Sequence, residues 1–418
     1  MIVETLTLIE YETVPIVQSR TTGQKAFSHK MAAALRHLEK RLPAKAVTWG
    51  HQSVKFAHFC GVIALGPVSI EILPKIYGKE QIPGICRQAL VRMLVQARKL
   101  PRLKSGTASI ALQRHTLLDV FILHFCDQLN NELMQGMIKR YVEKTQNLNV
   151  IRGRLKTELQ FKYNLAHKER LFCQYDELNT DNIYNRIIKF TLRSMQALTT
   201  GYAASKKLNE LLMRFNHIKD IPVDVRMFDA LAFDRSIRRY EKILRQCRWV
   251  IEGLHPDVVS GSNSCLSILF DMNRLFEAYV AVQMRKIARS AGIKMREQGP
   301  QRHMVYRKDT DENLFVMKPD MVFLNKKNIP IAIADAKWKL LDETEKKMGV
   351  SQGDLYQMSA YAARYGVNRL ALVYPLQSRL TRPVKFHLQG TASTITIFPI
   401  DITMVNELLM DYQTLFEG

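Results

Sequence analysis

Two aspartates and a lysine in residues 318–339, KPDMVFLNKKNIPIAIADAKWK, are residue types that together could bind a metal ion and act on a phosphate. Asp320 and Asp335 lie fifteen residues apart, and Lys337 follows two residues after the second aspartate. Because side chains alternate along a strand, Asp335 and Lys337 would project from the same face. An unpaired buried charge costs roughly several kcal/mol or more, so we expect both groups at a strand end that faces a cleft.

The carboxylates of Asp320 and Asp335, together with a main-chain carbonyl, suit Mg²⁺, a hard cation that takes few protein ligands and keeps water and phosphate oxygens. Such a metal lowers the pKa of a bound water and stabilises charge on the phosphate. Lys337 could orient that water or neutralise the same charge. These residues therefore predict metal-assisted hydrolysis of a phosphodiester. The alternative is a surface turn followed by a salt-bridged strand end.

The elements around these residues have an α/β order. From Ile329 to Trp338, apolar residues occupy both alternating faces, which is typical of a strand covered on both sides, and the alanine face leaves room for a helix. A helix is predicted for residues 351–366, followed by strands at RLALVYP and STITIFPI. Apolar periodicity also predicts a long helix at residues 267–292 and a closing helix at residues 404–416.

The chain before this region has two further parts. Short strand patterns separated by Gly and Pro come first, interrupted by one predicted helix at residues 28–42. Helical patterns follow, including one at residues 116–142, with room for a strand in the basic segment 149–164, and residues 255–264 predict a linker. The predicted fold class is multidomain α+β and α/β: a β-rich N-terminal domain (1–85), a mostly helical basic middle domain (86–254) and a C-terminal α/β domain (255–418) with a mixed central sheet flanked by helices.

Most of the net charge of +22 lies in the first 254 residues, which hold 40 basic and 22 acidic residues. This excess favours a polyanion, most simply nucleic acid, through phosphate neutralisation and counterion release. A membrane surface is less favoured, because no Lys-rich amphipathic anchor stands out. The alternative is a basic protein with no polyanionic partner.

Neither a membrane span nor a signal peptide is predicted. No apolar run reaches the roughly 18 residues that a membrane helix needs, and the N-terminus has early glutamates and no basic region. The six cysteines are scattered without a CxxC pair, which indicates reduced, buried thiols. The sequence therefore predicts a cytoplasmic protein without a membrane partner.

Pro319-Asp320 followed by Asp335-Ala336-Lys337 resembles the motif of the PD-(D/E)XK nucleases. Gln357 and Tyr361 share a helix face and are similar to the QxxxY motif of the RecB-like branch, in which both side chains line the active site. The resemblance implies a restriction-endonuclease-like C-terminal domain. It also implies a further acidic ligand on the preceding helix, where Glu277 lies in RLFEAYV. An exposed helical glutamate is the alternative at this last position.

A resemblance to the McrC family covers residues from about 60 to about 375. It is carried by IRGRLKTELQF, by CQYDELNTDNIYNRIIKFTL, and by MKPDMVFL, IAIADAKWK and GDLYQMSAY in that order. The family implies the nuclease subunit of a 5-methylcytosine restriction system, paired with a GTP-hydrolysing AAA+ ring, McrB, whose GTPase it stimulates. Double-stranded DNA is then the substrate, and recognition of the modified site belongs to McrB. This chain has no GxxxxGK[ST] segment, so GTP would be bound by the partner.

Four basic residues are candidate DNA contacts. Arg152, Arg154 and Lys156 alternate around Gly153, so a strand would aim all three to one side, and Lys339 follows the motif lysine. A solvated basic edge is the alternative reading of the first three. Asn185 and Arg186 fit either a contact site or a hydrogen-bond network at a helix start.

Three function hypotheses follow. The leading one is a Mg²⁺-dependent endonuclease subunit of a GTP-dependent, modified-cytosine-directed restriction complex. The second is a standalone nuclease of DNA repair or processing, which differs in lacking a GTPase partner. The third, a scaffold with a dead nuclease, is disfavoured because Asp320, Asp335, Lys337, Gln357 and Tyr361 are all present.

Overall fold

Residue contacts divide the chain into two units, and each is assembled from separated stretches of sequence. The first unit comprises Met1–Thr5, Ile63–Ser69 and His115–Ile268, and the second comprises Leu6–Val62, Ile70–Arg114 and Leu269–Gly418. The predicted domain division at residues 85 and 254 stays a prediction, because contacts within one chain do not show which segments fold independently. The computed structural model describes residues 4–65, 67–97, 115–199, 201–235, 237–256, 264–339, 341, 349–377, 380–403 and 415.

The secondary structure mixes strands and helices throughout. The strands are β1 (Glu4–Ile9), β2 (Thr13–Val17), β3 (Phe27–Ser28), β4 (Val47–Trp49), β5 (Ser53–Phe56), β6 (Phe59–Leu65), β7 (Val68–Leu73), β8 (Arg140–Leu148), β9 (Arg154–Leu155), β10 (Leu171–Asn179), β11 (Leu254–Pro256), β12 (Ser264–Asp271), β13 (Lys294–Glu297), β14 (Arg302–Arg307), β15 (Glu312–Met317), β16 (Met321–Leu324), β17 (Pro330–Ala336), β18 (Arg369–Pro375), β19 (Val384–His387) and β20 (Thr394–Ile400). The helices are α1 (His29–Glu39), α2 (Pro83–Gln96), α3 (Leu117–Met134), α4 (Thr157–Tyr163), α5 (Ile183–Leu198), α6 (Tyr202–Arg214), α7 (Glu241–Gly253), α8 (Met272–Ser290) and α9 (Gln352–Tyr365).

A six-stranded mixed sheet forms the centre of the second unit. Its order is β13-β16-β17-β18-β20-β19, in which β17, β18 and β20 run parallel and the other neighbours run antiparallel. The predicted mixed sheet is therefore present, and β17, which carries the aspartate–lysine motif, lies near its middle. Because a central strand has hydrogen-bonded neighbours on both sides, its end is held in place by β16 and β18.

Apolar packing covers β17. Ile333 belongs to one buried cluster with Met358 and Tyr361 from α9. Ala332 and Ala334 alternate with Ile333 along the strand and are fully buried. Helix α8 also packs against β17. The strand is therefore buried on both faces, as its uninterrupted apolar pattern predicts.

Helix α9 begins and ends at the residues expected from its caps. The Ser351 hydroxyl accepts a hydrogen bond from the main-chain N–H of Asp354 at 3.2 Å, and Gly366 ends the helix in the left-handed conformation with φ 64°. Serine at the N-cap satisfies a free N–H group, and glycine adopts positive φ without strain. These two residues fix which side chains α9 presents along β17.

The first unit combines helices with a small sheet. Helices α3, α5, α6 and α7 pack together, and β8, β10 and β9 form a three-stranded sheet. The helix predicted for residues 116–142 ends at Met134, and strand β8 begins at Arg140. The sheet therefore includes a strand at a place where the sequence predicts the end of a helix. Most of β8 is exposed and polar, so no apolar periodicity marks it as a strand. The middle of the chain is thus less helical than predicted.

The helix predicted for residues 267–292 is too long at its start. Strand β12 continues to Asp271, and α8 begins at Met272. The Asp271 carboxylate accepts hydrogen bonds from the N–H groups of Asn273 and Arg274, as an N-cap does. Apart from residue 415, the predicted helix at residues 404–416 lies outside the described residues. Residues 257–263 of the predicted linker lie outside them as well.

Further sequence predictions concern the N-terminal strands, the cysteines and the start of α5. Among the described residues before α2 begins at Pro83, the regular elements are strands β1–β7 and helix α1, which has Ser28 as its N-cap. All six cysteines are buried thiols rather than disulfides. Within the part of the chain that the structure describes, no helix has the length and apolarity to cross a membrane. Asn185 and Arg186 belong to the hydrogen-bond network at the start of α5, where they contact Thr180 and Asp181.

The basic segment around Gly153 departs from the single strand predicted. Gly153 has φ 70° and interrupts the extended chain, so only Arg154–Leu155 pair with β10. Arg152 lies over the Tyr175 ring at 4.1 Å, and Arg154 donates to Gln174 at 2.6 Å. The three basic side chains therefore do not share one strand face, and their contact with DNA stays a prediction.

Gly153 provides a test of this turn. A Cβ at this position would lie 2.6 Å from the Tyr175 Cβ and would also overlap the Gln174 carbonyl. Gly136, in the same unit, has φ 101° but a nearest neighbour at 3.9 Å, so it is the matched control. We expect Gly153→Ala to lower the free energy of unfolding by about 1–3 kcal/mol more than Gly136→Ala, because overlap adds to strain. Urea unfolding followed by circular dichroism measures both, and equal losses would contradict the close packing.

Candidate active site

An ion pair between Asp335 and Lys337 lies at the end of β17. Lys337 Nζ is 2.6 Å from Asp335 Oδ2, and the Asp335 side chain is 2% exposed. Among the described residues, this oxygen accepts no hydrogen bond of regular geometry, so the contact with Lys337 is an electrostatic one. The two groups that share a strand face in the sequence pattern are thus in contact.

Asp320 is brought to the same strand end by the pairing of β16 with β17. The two strands run antiparallel with Met321 opposite Ala334, which places the residue before β16 beside the end of β17. Asp320 Oδ2 accepts a hydrogen bond from the main-chain N–H of Ala336 at 2.9 Å. Ala336 stands between Asp335 and Lys337, so this hydrogen bond connects Asp320 directly to the Asp335-Ala336-Lys337 segment.

Gln357 and Tyr361 extend this cluster from α9. Lys337 Nζ donates to Gln357 Oε1 at 3.1 Å, and Gln357 Nε2 donates to the Tyr361 hydroxyl at 2.9 Å. The amide is held at both ends, so its oxygen is directed at the lysine. All five residues predicted to form the catalytic group therefore lie together, linked through Lys337 and Ala336.

Burial strongly affects the two carboxyl groups. It raises the pKa of Asp335, and it raises the pKa of Asp320 to about 8, with repulsion from Asp335 and then Glu277 as the next contributions. The Ala336 N–H and the Lys337 charge act in the opposite direction on Asp320 without cancelling this effect. Ionised carboxylates at this place are therefore costly unless more positive charge is supplied.

Lys337 remains a cation in this setting. Burial alone would lower its pKa, but the negative charges of Asp335, which is in direct contact with it, and of Asp320 raise it. The ammonium group can therefore neutralise charge, whereas it holds its proton too firmly to act as a general base near neutral pH.

Glu277 approaches the cluster from α8 through Gln298. The Gln298 amide donates to Glu277 Oε1 at 3.1 Å, and the Gln298 N–H donates to the Asp320 carbonyl at 3.0 Å. The sequence gives no indication of Gln298 beyond the turn-forming Gly299 that follows it. Glu277 thus acts on Asp320 through its charge, and Gln298 holds both.

Asp354 is a further carboxylate at the start of α9. Its Oδ2 is 2.5 Å from Lys339 Nζ and accepts a hydrogen bond from the Tyr374 hydroxyl at 3.0 Å. Burial would raise its pKa, but hydrogen bonds led by that from Lys339 lower it overall. Lys339, predicted as a DNA contact, is therefore ion-paired in this structure, and its role toward DNA stays a prediction. The other three predicted DNA contacts, Arg152, Arg154 and Lys156, belong to the first unit, whereas Lys339 and the motif residues belong to the second.

The donor set suits a divalent cation that takes few protein ligands. Among the described residues, no three His, Cys, Asp or Glu side chains are placed to surround a metal together. Asp335 Oδ2 is nevertheless buried and held only by the ion pair with Lys337, without a hydrogen bond of regular geometry among the described residues, and repulsion from Asp335 adds to the raised pKa of Asp320. Mg²⁺ commonly uses one or two carboxylates and keeps its waters. Asp320 and Asp335 are thus the candidate ligands, and Glu277 is the weaker one.

Comparisons with known proteins match this chain over most of its length. The family model of the McrBC 5-methylcytosine restriction system component matches residues 54–375. A chain of the half-complex from the tetradecameric assembly of Thermococcus gammatolerans McrB AAA+ hexamers with bound McrC is 20% identical, with TM-score 0.78 over 99% of both chains. A chain of the Thermococcus gammatolerans McrBC complex is 23% identical, with TM-score 0.55 over 68% of this chain and 88% of that one. At these identities the solved structures show a shared fold. No curated protein sequence matches.

The raised pKa of Asp320 predicts that this residue destabilises the fold at alkaline pH. Its pKa rises from an ordinary 3.8 to about 8, so the folded chain binds a proton that the unfolded chain releases, and stability falls as pH increases across this range. In metal-free buffer, Asp320→Asn should be more stable than the wild type at pH 8.5 by about 1–3 kcal/mol. The difference should shrink toward pH 5, because the stability lost through this proton accumulates only above the unfolded pKa of 3.8 and is complete only above the folded pKa.

Thermal and urea unfolding across this pH range measure the effect. Asp309→Asn is the control, because Asp309 is an exposed carboxylate whose pKa is lowered by hydrogen bonds from Arg307. A destabilised Asp320→Asn variant at pH 8.5 would show that this carboxylate is not strained by its surroundings.

Proposed function

The chain belongs to the McrBC 5-methylcytosine restriction system component family, and from that premise we propose that it is the subunit that cuts DNA. The proposal is a Mg²⁺-dependent endonuclease of the PD-(D/E)XK type with a RecB-like QxxxY helix, active within a GTP-dependent, modified-cytosine-directed complex. The observation that carries it is the contact of Asp335 with Lys337 and of Lys337 with Gln357 at the end of a central strand.

The side chains divide the work of phosphodiester hydrolysis. A bound Mg²⁺ would be held by Asp320 and Asp335 and would supply a water of lowered pKa and an electrophile for the phosphate. Lys337, kept protonated by the neighbouring carboxylates, neutralises negative charge that develops on the phosphate. Gln357 fixes the direction of the ammonium group through its 3.1 Å hydrogen bond, and Tyr361 fixes Gln357. The Ala336 N–H orients Asp320.

A ring-shaped GTPase partner completes the proposed complex. This chain has no phosphate-binding GxxxxGK[ST] segment, and a chain with the same fold occurs in an assembly of McrB AAA+ hexamers with bound McrC. We therefore assign GTP binding to a McrB-like hexamer and stimulation of its GTPase to this chain. The basic first 254 residues fit either DNA or an acidic surface of the ring.

The first experiment tests for the partner. The chain is tagged and captured from its native cells in Mg²⁺ and a slowly hydrolysed GTP analogue, and its partners are identified by mass. Recovery of an AAA+ GTPase in several-fold excess supports the restriction complex. Recovery of no NTPase, together with plasmid cleavage by the chain alone, would favour the standalone nuclease instead.

Asp335→Ala should abolish cleavage without affecting the partner. Removing this carboxylate takes away a metal ligand and the charge that holds Lys337, so we expect cleavage to fall by about 10²–10³-fold or more. Binding to the GTPase and stimulation of GTP hydrolysis should persist. Plasmid cleavage and GTP turnover are measured on the same preparation, with Asp309→Ala as a control on an exposed carboxylate. Loss of all three activities in a folded variant would refute this division of labour.

Tyr361→Phe should have a smaller effect on the same reaction. The variant keeps the ring in its apolar cluster but removes the acceptor for Gln357, so the amide loses one of its two fixed ends. Loss of an outer hydrogen bond of this kind costs about 10-fold in activity. Single-turnover cleavage rates at saturating Mg²⁺ measure it. Tyr356→Phe, on an exposed position of the same helix, should leave the rate unchanged.

A further inference from the structure

Glu10 is a buried carboxylate far from the motif in sequence that contacts the motif strand directly. It follows β1 and is 1% exposed. Its Oε2 accepts a hydrogen bond from the Trp338 indole N–H at 2.9 Å. Trp338 is the residue after Lys337, so a side chain from the start of the chain holds the position next to the motif lysine.

The segment that carries Glu10 is itself fixed by main-chain hydrogen bonds. The Glu10 N–H donates to the Leu73 carbonyl at 2.8 Å, and the Tyr11 N–H donates to the Phe56 carbonyl at 2.8 Å. These bonds reach two different strands, β7 and β5. The carboxylate is therefore presented from a rigid support, which is what precise orientation of a neighbour requires.

Trp338 is held on a second side by helix α8. Its ring lies 5.3 Å from the Phe276 ring, and it is 5% exposed. Phe276 precedes Glu277, the acidic residue whose charge acts on Asp320. Trp338 thus lies between the support for Glu10 and the helix that carries Glu277.

Fixing Trp338 constrains Lys337. The Lys337 N–H still pairs with the Val373 carbonyl at 2.8 Å, but β17 ends at Ala336. Beyond it the chain has a local main-chain bond from the Lys339 N–H to the Lys337 carbonyl at 3.1 Å, and side-chain contacts such as that of Trp338 add to it. The hydrogen bond satisfies the buried indole N–H, which would be costly to leave without an acceptor. It holds the main chain from which the Lys337 side chain extends toward Asp335 and Gln357.

The cost of this arrangement is visible at Glu10. Its other oxygen, Oε1, is buried and accepts no hydrogen bond of regular geometry from the described residues. Cys60 Sγ approaches Oε2 at 4.0 Å. An apolar residue would serve packing alone better at such a site, so the carboxylate contributes polar contacts: the Trp338 indole acts on it most strongly, followed by the main-chain N–H groups of His58 and Lys75.

We infer that Glu10 is a positioning residue for DNA cleavage: through Trp338 it holds the end of β17 in the geometry that Lys337 needs. This role rests on the proposed nuclease function. It makes the amino-terminal segment part of the cleavage centre, although every motif residue lies beyond residue 270.

The test compares variants that keep or remove the hydrogen bond. Glu10→Gln retains an acceptor of the same length and should cleave within about 3-fold of the wild type. Glu10→Ala removes the acceptor, and Trp338→Phe removes the donor while keeping a ring against Phe276. Each should lower kcat by about 10–100-fold, the range for outer-shell partners, with the KM for DNA little changed. The double variant should be no slower than the slower single variant, because both remove one bond.

The measurements separate this role from a general effect on folding. Thermal unfolding and GTPase stimulation are recorded for every variant, and Trp338→Phe combined with Glu10→Gln replaces Glu10→Ala if the latter does not fold. Wild-type rates in Glu10→Ala, impairment of Glu10→Gln equal to that of Glu10→Ala, or parallel loss of cleavage and GTPase stimulation would each overturn the role. Cleavage by the wild type that Asp335→Ala abolishes confirms the underlying function first. Its absence would overturn both.

Discussion

Burial of acidic groups at the end of a central strand requires nearby positive charge, and Lys337 supplies part of it through its ion pair with Asp335. The sheet determines where the pair lies, because β16 and β18 hold β17 on both edges. Hydrogen bonds extend outward from the pair: Gln357 accepts one from Lys337, and Tyr361 accepts one from Gln357. Strands β16 and β18 and helix α9 thus all contribute to the surroundings of this ion pair.

The same arrangement sets stability against chemistry. Asp320 and Glu10 are carboxyl groups whose pKa is raised by burial, so each makes the folded state less favourable at neutral or alkaline pH than an amide would. The surrounding sheet and the apolar cluster between β17 and α9 offset this loss. Functional sites commonly carry such local cost, since a site that is fully satisfied has no capacity left for a ligand.

The sequence predicts local relations at this site better than distant ones. Alternation in IAIADAKWK places Asp335 and Lys337 on one face, and the spacing of Gln357 and Tyr361 places both on one side of a helix. Ser351 and Gly366 mark the ends of that helix. The contacts of Gln298, Asp354 and Glu10 could not be predicted in the same way. The partners of Gln298 are up to 22 residues away, Lys339 is 15 residues from Asp354, and Trp338 is 328 residues from Glu10, so no periodicity indicates these contacts. Strand β8 was missed because its exposed faces carry no apolar pattern.

The second unit is interrupted in sequence by residues of the first, and this has a consequence for how the protein is made. Glu10 and its supporting strands leave the ribosome before His115–Ile268, whereas Trp338 follows that whole insertion. At roughly 5–20 residues per second, the early segment waits on the order of ten seconds or more for its partners to be synthesised. A chain released early therefore lacks the strand that bears Asp335, and a truncated product is a basic protein without the cluster of Asp320, Asp335 and Lys337. The order of translation thus delays assembly of this cluster until the last third of the chain has emerged.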